Sequence, residues 1–168
     1  MGGHTRPVSV IKLGTMDFLE KKGLSNEQIS TLENTSDVSM VKKLLVEYFN
    51  LGELAAKDPI RCGIATDFYF YNYMFCKETG LSYNATAVFM KIMELTFVSD
   101  TNPPPSRTPT MENSFERFTE MVVRHSVPNP PDQIRVFERS YLEKLMNHAM
   151  TSYFRQFRLY QYVFCSKP

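Results

Sequence analysis

The closing stretch of this chain, SYLEKLMNHAMTSYFRQFRLYQYVFCSKP, constrains the fold more than any other. Leu142, the adjacent Leu145 and Met146, then Ala149, Tyr153, Phe157, Tyr160 and Phe164 recur at three- or four-residue spacing. That spacing predicts one apolar stripe along a single helix. Glu143, Lys144, Asn147, Ser152, Arg155 and Arg158 fall on the opposite, polar side. Ser140 stands where a side-chain oxygen caps the first free amides, and Glu143 is at the capping-box offset. No Gly or Pro interrupts the run before Pro168. Such a helix spans roughly 35 Å at about 1.5 Å per residue, enough to serve as a spine for the remaining elements.

The other elements divide into short helices before residue 35 and a helical domain after it. Residues 1–14 read as an extended arm, in which VSVIKL is short and β-branched. TMDFLEKKG makes two helical turns between Thr15 as cap and Gly23 as stop. In LSNEQISTLEN, Ser25 caps, Gln28 completes the box, and Ile29 and Leu32 face inward. SDVSMVKKLLVEYFNLG puts Val38, Val41, Leu44, Leu45, Tyr48 and Phe49 on one face and ends near Gly52. The organisation expected is an arm with short helices over 1–34 and a helical domain over 35–168.

DPIRCGIATDFYFYNYMFCKETG is the second strong element: Asp58 caps, Pro59 takes the first helical position and Gly80 closes it. Its middle, FYFYNYMF, is apolar or aromatic on every side, so most of its faces must be covered. Without basic groups between the rings, core packing outweighs a nucleotide-stacking platform. LSYNATAVFMKIMELTFVSD returns antiparallel, capped by Ser82, with Val88, Phe89, Ile92, Met93, Leu95 and Phe97 apolar. TNPPPSRTPT, with four prolines in ten residues, cannot be helix and reads as an extended surface connector over 102–110; within it, Thr108-Pro109 fits a proline-directed phosphosite. TMENSFERFTEMVVRHS is a further helix with Phe115, Phe118, Met121 and Val122 inward. VPNPPDQ breaks the chain again, and IRVF leads as a short extended piece into the spine. The fold class is all-α: a single domain of six or seven helices with proline-rich connectors and a long C-terminal helix. Phe68, Tyr71, Phe75, Phe89, Ile92, Phe118, Leu145 and Tyr153 are the expected core.

Composition narrows the function classes. Lys and Arg number 19 against 18 Asp and Glu, without the basic excess a nucleic-acid binder shows. No apolar run has membrane-spanning length, no signal peptide opens the chain, and Arg6 stands where N-myristoylation needs Ser or Thr. The expectation is a soluble, intracellular protein. The three cysteines fit no zinc spacing, and Cys62 and Cys76 on one helix lie about 21 Å apart, too far to bridge. His4, His125 and His148 have no patterned Cys, Asp or Glu beside them, and no phosphate loop, HExxH or GxSxG occurs. His148 and Cys165 on one helix lie about 25 Å apart, which refuses a dyad. No enzyme, cofactor or metal is expected.

Two segments suggest partner binding instead. SYFRQFRLYQYVF mixes Arg155 and Arg158 with Tyr153, Phe154, Phe157, Tyr160, Tyr162 and Phe164. Tyr and Arg are enriched at interface hot spots, and basic amphipathic helices are also calmodulin targets. Of these, Arg155, Arg158 and Tyr162 are expected to meet a neighbour, with Tyr69 and Tyr73 of the aromatic helix as a second surface.

RHSVPNPP followed by IRVFERSYLEKLMNHAMTSYFRQFRLYQYVF resembles the C-terminal domain of the cilia- and flagella-associated family that includes coiled-coil domain-containing protein 189. The closing signature falls on Tyr153, Phe154, Arg155, Leu159, Tyr160, Tyr162, Val163 and Phe164; the helix before the loop corresponds to 115–126 and the aromatic helix to 60–77. The resemblance covers roughly 35–165. It implies a non-enzymatic cytoskeletal component of the motile axoneme, in a projection of the central-pair apparatus. The neighbours it implies are a large scaffold of the sperm-associated antigen 17 type, calmodulin, and small related subunits such as the ciliary-associated calcium-binding coiled-coil protein. The chain departs from that pattern by its shortness, by lacking a coiled-coil extension and by the TNPPPSRTPT insert. The expected function is a structural subunit that docks on the scaffold and supports regulation of beating. The alternative is a signalling adaptor that binds calmodulin through its basic-aromatic C-terminal helix.

Overall fold

Chain direction in this protein is set by helix ends, and most of them are where the capping residues predict. The computed structural model describes residues 23–126 and 136–165, and the regular elements among them are all helical. In order these are α1 (Asn26–Glu33), α2 (Val38–Tyr48), α3 (Gly52–Lys57), α4 (Pro59–Thr79), α5 (Tyr83–Thr101), α6 (Met111–Arg124), α7 (Arg139–Ser152) and α8 (Phe157–Cys165). A 3₁₀ turn at Phe154–Gln156 joins the last two into one terminal run. The arm over 1–14, the two turns read over TMDFLEKKG apart from Gly23, the VPNPPDQ loop and the stop at Pro168 lie outside the described residues.

Ser25 and Gln28 form the reciprocal capping box of α1. Asp58 accepts from the Arg61 amide at 3.1 Å, with Pro59 first in α4. Gly80 ends α4 in the left-handed conformation, φ 79°, which a residue without Cβ adopts at no steric cost. Ser82 and Thr110 cap α5 and α6. Two expected signals are corrected. Gly52 does not stop a helix but opens α3; the reversal falls on Asn50, φ 56°, a residue type that tolerates the left-handed region. Ser140 lies inside α7, whose N-cap is Glu138 with no side-chain cap bond. The start is fixed by the preceding residues: the Val136 and Phe137 amides donate to His125 O at 2.6 and 3.0 Å, and Phe137 is buried.

α4 and α5 pack as an antiparallel pair at the centre; α2 and α3 cover α4, while α1, α6 and α8 cover α5. Ile29 and Leu32 of α1 belong to the same hydrophobic cluster as the elements beyond residue 35. Phe68, Phe89, Ile92, Phe118, Leu145 and Tyr153 are buried in that cluster as expected. Phe75 is only half-buried, and Tyr71 is 61% exposed, which corrects its place in the core. The physical reason is helical phase. Cys62, Ala65, Thr66, Tyr69, Tyr73 and Cys76 share the inward face, and Tyr71, two residues from each tyrosine, is turned outward.

Candidate docking face of the terminal helix

The terminal run changes phase once, and the change decides which residues face out. Through α7 the stripe is regular, with Leu145 and Ala149 buried and Leu142 and Met146 packed against the core. At Phe154–Gln156 the backbone tightens to about three residues per turn. Tyr153, Phe154 and Phe157 are all buried as a result. Phe154 meets Phe115 and Phe118 of α6 edge-on, at ring-centroid distances of 5.2 and 5.6 Å. It therefore belongs to the core. Tyr153 packs on Phe68 at 5.5 Å and on Tyr160 at 5.2 Å, and Phe164 meets Phe97 at 5.2 Å.

A polar centre, Asp100 near the end of α5, fixes this packing. Its side chain is fully buried. Its carboxylate accepts from Ser114 Oγ, from Arg117 Nη2 at 2.8 Å and from the Tyr153 hydroxyl at 2.7 Å. Its backbone carbonyl accepts from Gln161 Nε2 at 2.8 Å and from Cys165 Sγ at 3.5 Å. One residue thus ties α6, the turn after α7 and α8 to α5. Burial, then the Asp100 charge, push the Tyr153 hydroxyl far above the usual phenol range, so it stays a donor. Nothing in the sequence singled out Asp100; the only local signal is a carboxylate at the close of an otherwise apolar helix.

With one side of α8 held this way, the other is presented to solvent. Arg155, Arg158, Leu159 and Tyr162 are exposed, Leu159 by 65% and Tyr162 by 74%. No ion pair or hydrogen bond engages the Arg155 or Arg158 side chain among the described residues. Beside them runs a groove of about 650 Å³, lined by Thr108, Pro109, Met111 and Glu112 from the connector and the start of α6 and by Arg155, Arg158 and Leu159 from the terminal run. Arg155, Arg158 and Tyr162 are thereby gathered on one side of the run.

Tyr69 and Tyr73 are not surface residues, which corrects their assignment to a second partner face. Tyr69 is 2% exposed and stacks on Phe49 at 4.0 Å; Tyr73 is 3% exposed. Burial raises both phenols, Tyr73 to about 12 with Glu33 adding to the shift. The large apolar side chains that α4 does expose are Ile60 and Tyr71. His148 lies against Asn72 and Phe75 and is separate from Cys165, which bonds near Asp100. Among the described residues no His, Cys, Asp or Glu group is placed to hold a metal ion, and no helix is long and apolar enough to cross a membrane.

The sequence from the middle of α4 onward carries Asp100, its side-chain partners and the outward face of α8. That portion, residues 71–168, matches the CLAMP family model, described as the flagellar C1a complex subunit C1a-32. The match covers more than half of the chain, and the protein therefore belongs to that family, whose place is the axoneme of the cilium or flagellum.

Proposed function

We propose that the chain is a non-enzymatic structural subunit of a central-pair projection, fixed to a larger scaffold through the outward side of α8 and supporting regulation of beating. The observation that carries this reading is the pairing of exposed Leu159 and Tyr162 with two guanidinium groups that have no partner among the described residues. Tyr and Arg dominate interface hot spots, where an apolar body and a planar donor set are desolvated together. Because Asp100 and the buried rings hold α8 in place, little ordering entropy remains to oppose docking. The closing signature, similar to the family that includes coiled-coil domain-containing protein 189, supports a scaffold of the sperm-associated antigen 17 type and small related subunits as the neighbours. The test is an Arg158→Glu, Tyr162→Ala double variant expressed in ciliated cells lacking the native protein. A hot-spot contact is worth at least about 2 kcal/mol, roughly 30-fold in affinity. Axonemal localisation is expected to fall while circular dichroism and melting stay unchanged. Normal localisation with normal beating would overturn this face, and Ile60 and Tyr71 would be the next to mutate.

The calmodulin-adaptor reading meets a physical obstacle. Calmodulin takes the apolar side of a target helix, and here Tyr153 and Phe157 are occupied in the core. Capture would have to pull α8 away from Asp100. A calcium-dependent pull-down comparing the intact chain with a peptide covering 153–165 separates the readings. Capture of the peptide alone is expected if the rings bind only when freed, and capture of the intact chain would favour the adaptor.

A further inference from the structure

Thr108-Pro109 is the single Ser/Thr-Pro step of the chain, and neither the core nor the docking face accounts for it. Thr108 is exposed in non-helical backbone, and a following proline biases it toward an extended conformation. Its neighbours are anchored. The Arg107 guanidinium donates to Ser99 O at 2.7 Å and to Ser99 Oγ at 2.8 Å, and Thr110 caps α6 by accepting from the Asn113 amide at 3.2 Å. Between these anchors Thr108 lines the same groove as Arg155 and Arg158. Folding has brought a hydroxyl of the proline connector into one groove with the two guanidiniums of α8.

We propose that Thr108 is a phosphorylation site whose phosphate engages Arg155 and Arg158 across the groove and so withdraws them from docking. The second half rests on the docking reading above. The reaction is phosphoryl transfer from ATP by a proline-directed Ser/Thr kinase. Thr108 Oγ1 bonds to the γ-phosphorus, the bond from that phosphorus to the ADP oxygen breaks, and the hydroxyl proton passes to the kinase's base. The product carries a charge of about −1.5 to −2 near neutral pH, with a second pKa of about 6. Guanidinium is the group that meets phosphate oxygens in a bidentate fork. Glu112 in the same groove opposes the phosphate, but a single carboxylate faces two arginines there. Before modification the groove carries a positive excess; afterwards it does not.

The test begins with the full chain, ATP and a proline-directed kinase, with the site mapped by mass spectrometry and Thr108→Ala as control. Phosphate is expected on Thr108. Failure to modify the folded chain, under conditions that modify a peptide of the same sequence, would overturn the site. A phosphorus NMR titration then reads the pairing. The second pKa should fall below about 6 in the phosphorylated chain and return toward it when Arg155→Ala and Arg158→Ala are combined. An unchanged titration would overturn the pairing. Last, binding to axonemes stripped of the native subunit should weaken about tenfold on phosphorylation. If phosphorylation leaves binding intact while Arg158→Glu, Tyr162→Ala abolishes it, the regulatory half falls and the docking reading stands. If the charge-reversed chain also binds normally, the docking reading falls and takes the regulatory half with it, whatever the NMR result.

Discussion

Among the described residues the terminal run is held to the core by polar contacts at two places, and they are built on different principles. In α7, His148 Nε2 lies 2.9 Å from Asn72 Oδ1, and the ring stacks on Phe75 with centroids 4.0 Å apart and planes 7° from parallel. Asn72 Nδ2 in turn donates to Phe68 O at 2.7 Å, which leaves its Oδ1 as the acceptor and assigns the proton to His148 Nε2. This is a neutral pair of a buried amide and a half-buried ring, in which stacking does much of the holding. At the end of α5 a fully buried carboxylate instead gathers three side-chain donors, while its carbonyl takes two donors from α8. The neutral pair can lose its hydrogen bond and keep its packing. The charged centre has no such fallback, because removing the acceptor strands every donor aimed at it. The orientation of Arg155, Arg158 and Tyr162 therefore depends on Asp100 more than on His148.

The strongest way to break this comparison is Asp100→Ala. It leaves the Arg117 guanidinium, the Tyr153 hydroxyl and the Ser114 hydroxyl without their shared acceptor. A loss of about 3–5 kcal/mol is expected in urea unfolding. A loss below about 1 kcal/mol, the scale of one ordinary hydrogen bond, would put the two contacts on a par. Tyr153→Phe is the finer cut. It removes one donor and keeps the ring against Phe68 and Tyr160, so about 1–1.5 kcal/mol is expected. A cost as large as that of Asp100→Ala would mean that the ring packing, not the carboxylate, organises this end.

Which parts of this were legible beforehand follows from the range of each interaction. Ser25 with Gln28, Asp58 with Pro59, Gly80 and Ser82 act within a few residues, so sequence sufficed to place those helix ends. The stripe through Leu145, Ala149, Tyr153 and Phe157 was equally plain, and with it the outward side of Arg155, Arg158 and Tyr162. The octet FYFYNYMF was different. With rings on every side it carries no phase, and Tyr71 cannot be told from Tyr69 or Tyr73 until Phe49 and α5 supply the environment. Phe154 stands outside the regular stripe, and its burial depends on a 3₁₀ turn that shifts the helical phase by a fraction of a turn, which a fixed spacing cannot anticipate. Asp100 was missed for a third reason: its partners Ser114 and Tyr153 lie 14 and 53 positions away.

The neutral contact makes a pH prediction of its own. Burial lowers the His148 pKa from its ordinary 6.5 to about 4. Between these values the unfolded chain takes up the proton first, so stability is complete above about 6.5 and is lost as pH falls through about 4. Discounted for solvent screening of a half-buried ring, the loss is about 1 kcal/mol. His125 is lowered too, again chiefly by burial, and contributes with the same sign. The measurement is therefore a difference: unfolding free energy against pH for the wild type minus that for His148→Leu. A difference that stays flat from pH 7 to 4 would show that the His148 ring is not buried enough to be kept neutral.

The smallest effect concerns what lies between the two contacts and the groove. Residues 102–110 were expected to be a tolerant surface connector, and Asn102, Pro104, Pro105, Ser106, Thr108 and Thr110 are indeed exposed. Arg107 is the exception, because its guanidinium reaches back to Ser99, the residue before Asp100. The connector thus divides into a stretch before Arg107 held by backbone bonds, Asn102 N–H to Val98 O at 2.9 Å and Arg107 N–H to Pro104 O at 3.0 Å, and a side-chain-anchored stretch from Arg107 to the Thr110 cap. Replacing residues 102–106 with Gly and Ser should shift stability by no more than about 0.5 kcal/mol, the usual range of surface changes. Arg107→Ala should cost about 1 kcal/mol by removing hydrogen bonds to the end of α5. If Asp100 alone fixes that end, the costs of Arg107→Ala and Tyr153→Phe will add within about 0.5 kcal/mol. A coupling well beyond that would show that the connector helps to hold the carboxylate in place. The groove wall bearing Thr108 and the buried centre under α8 would then move together.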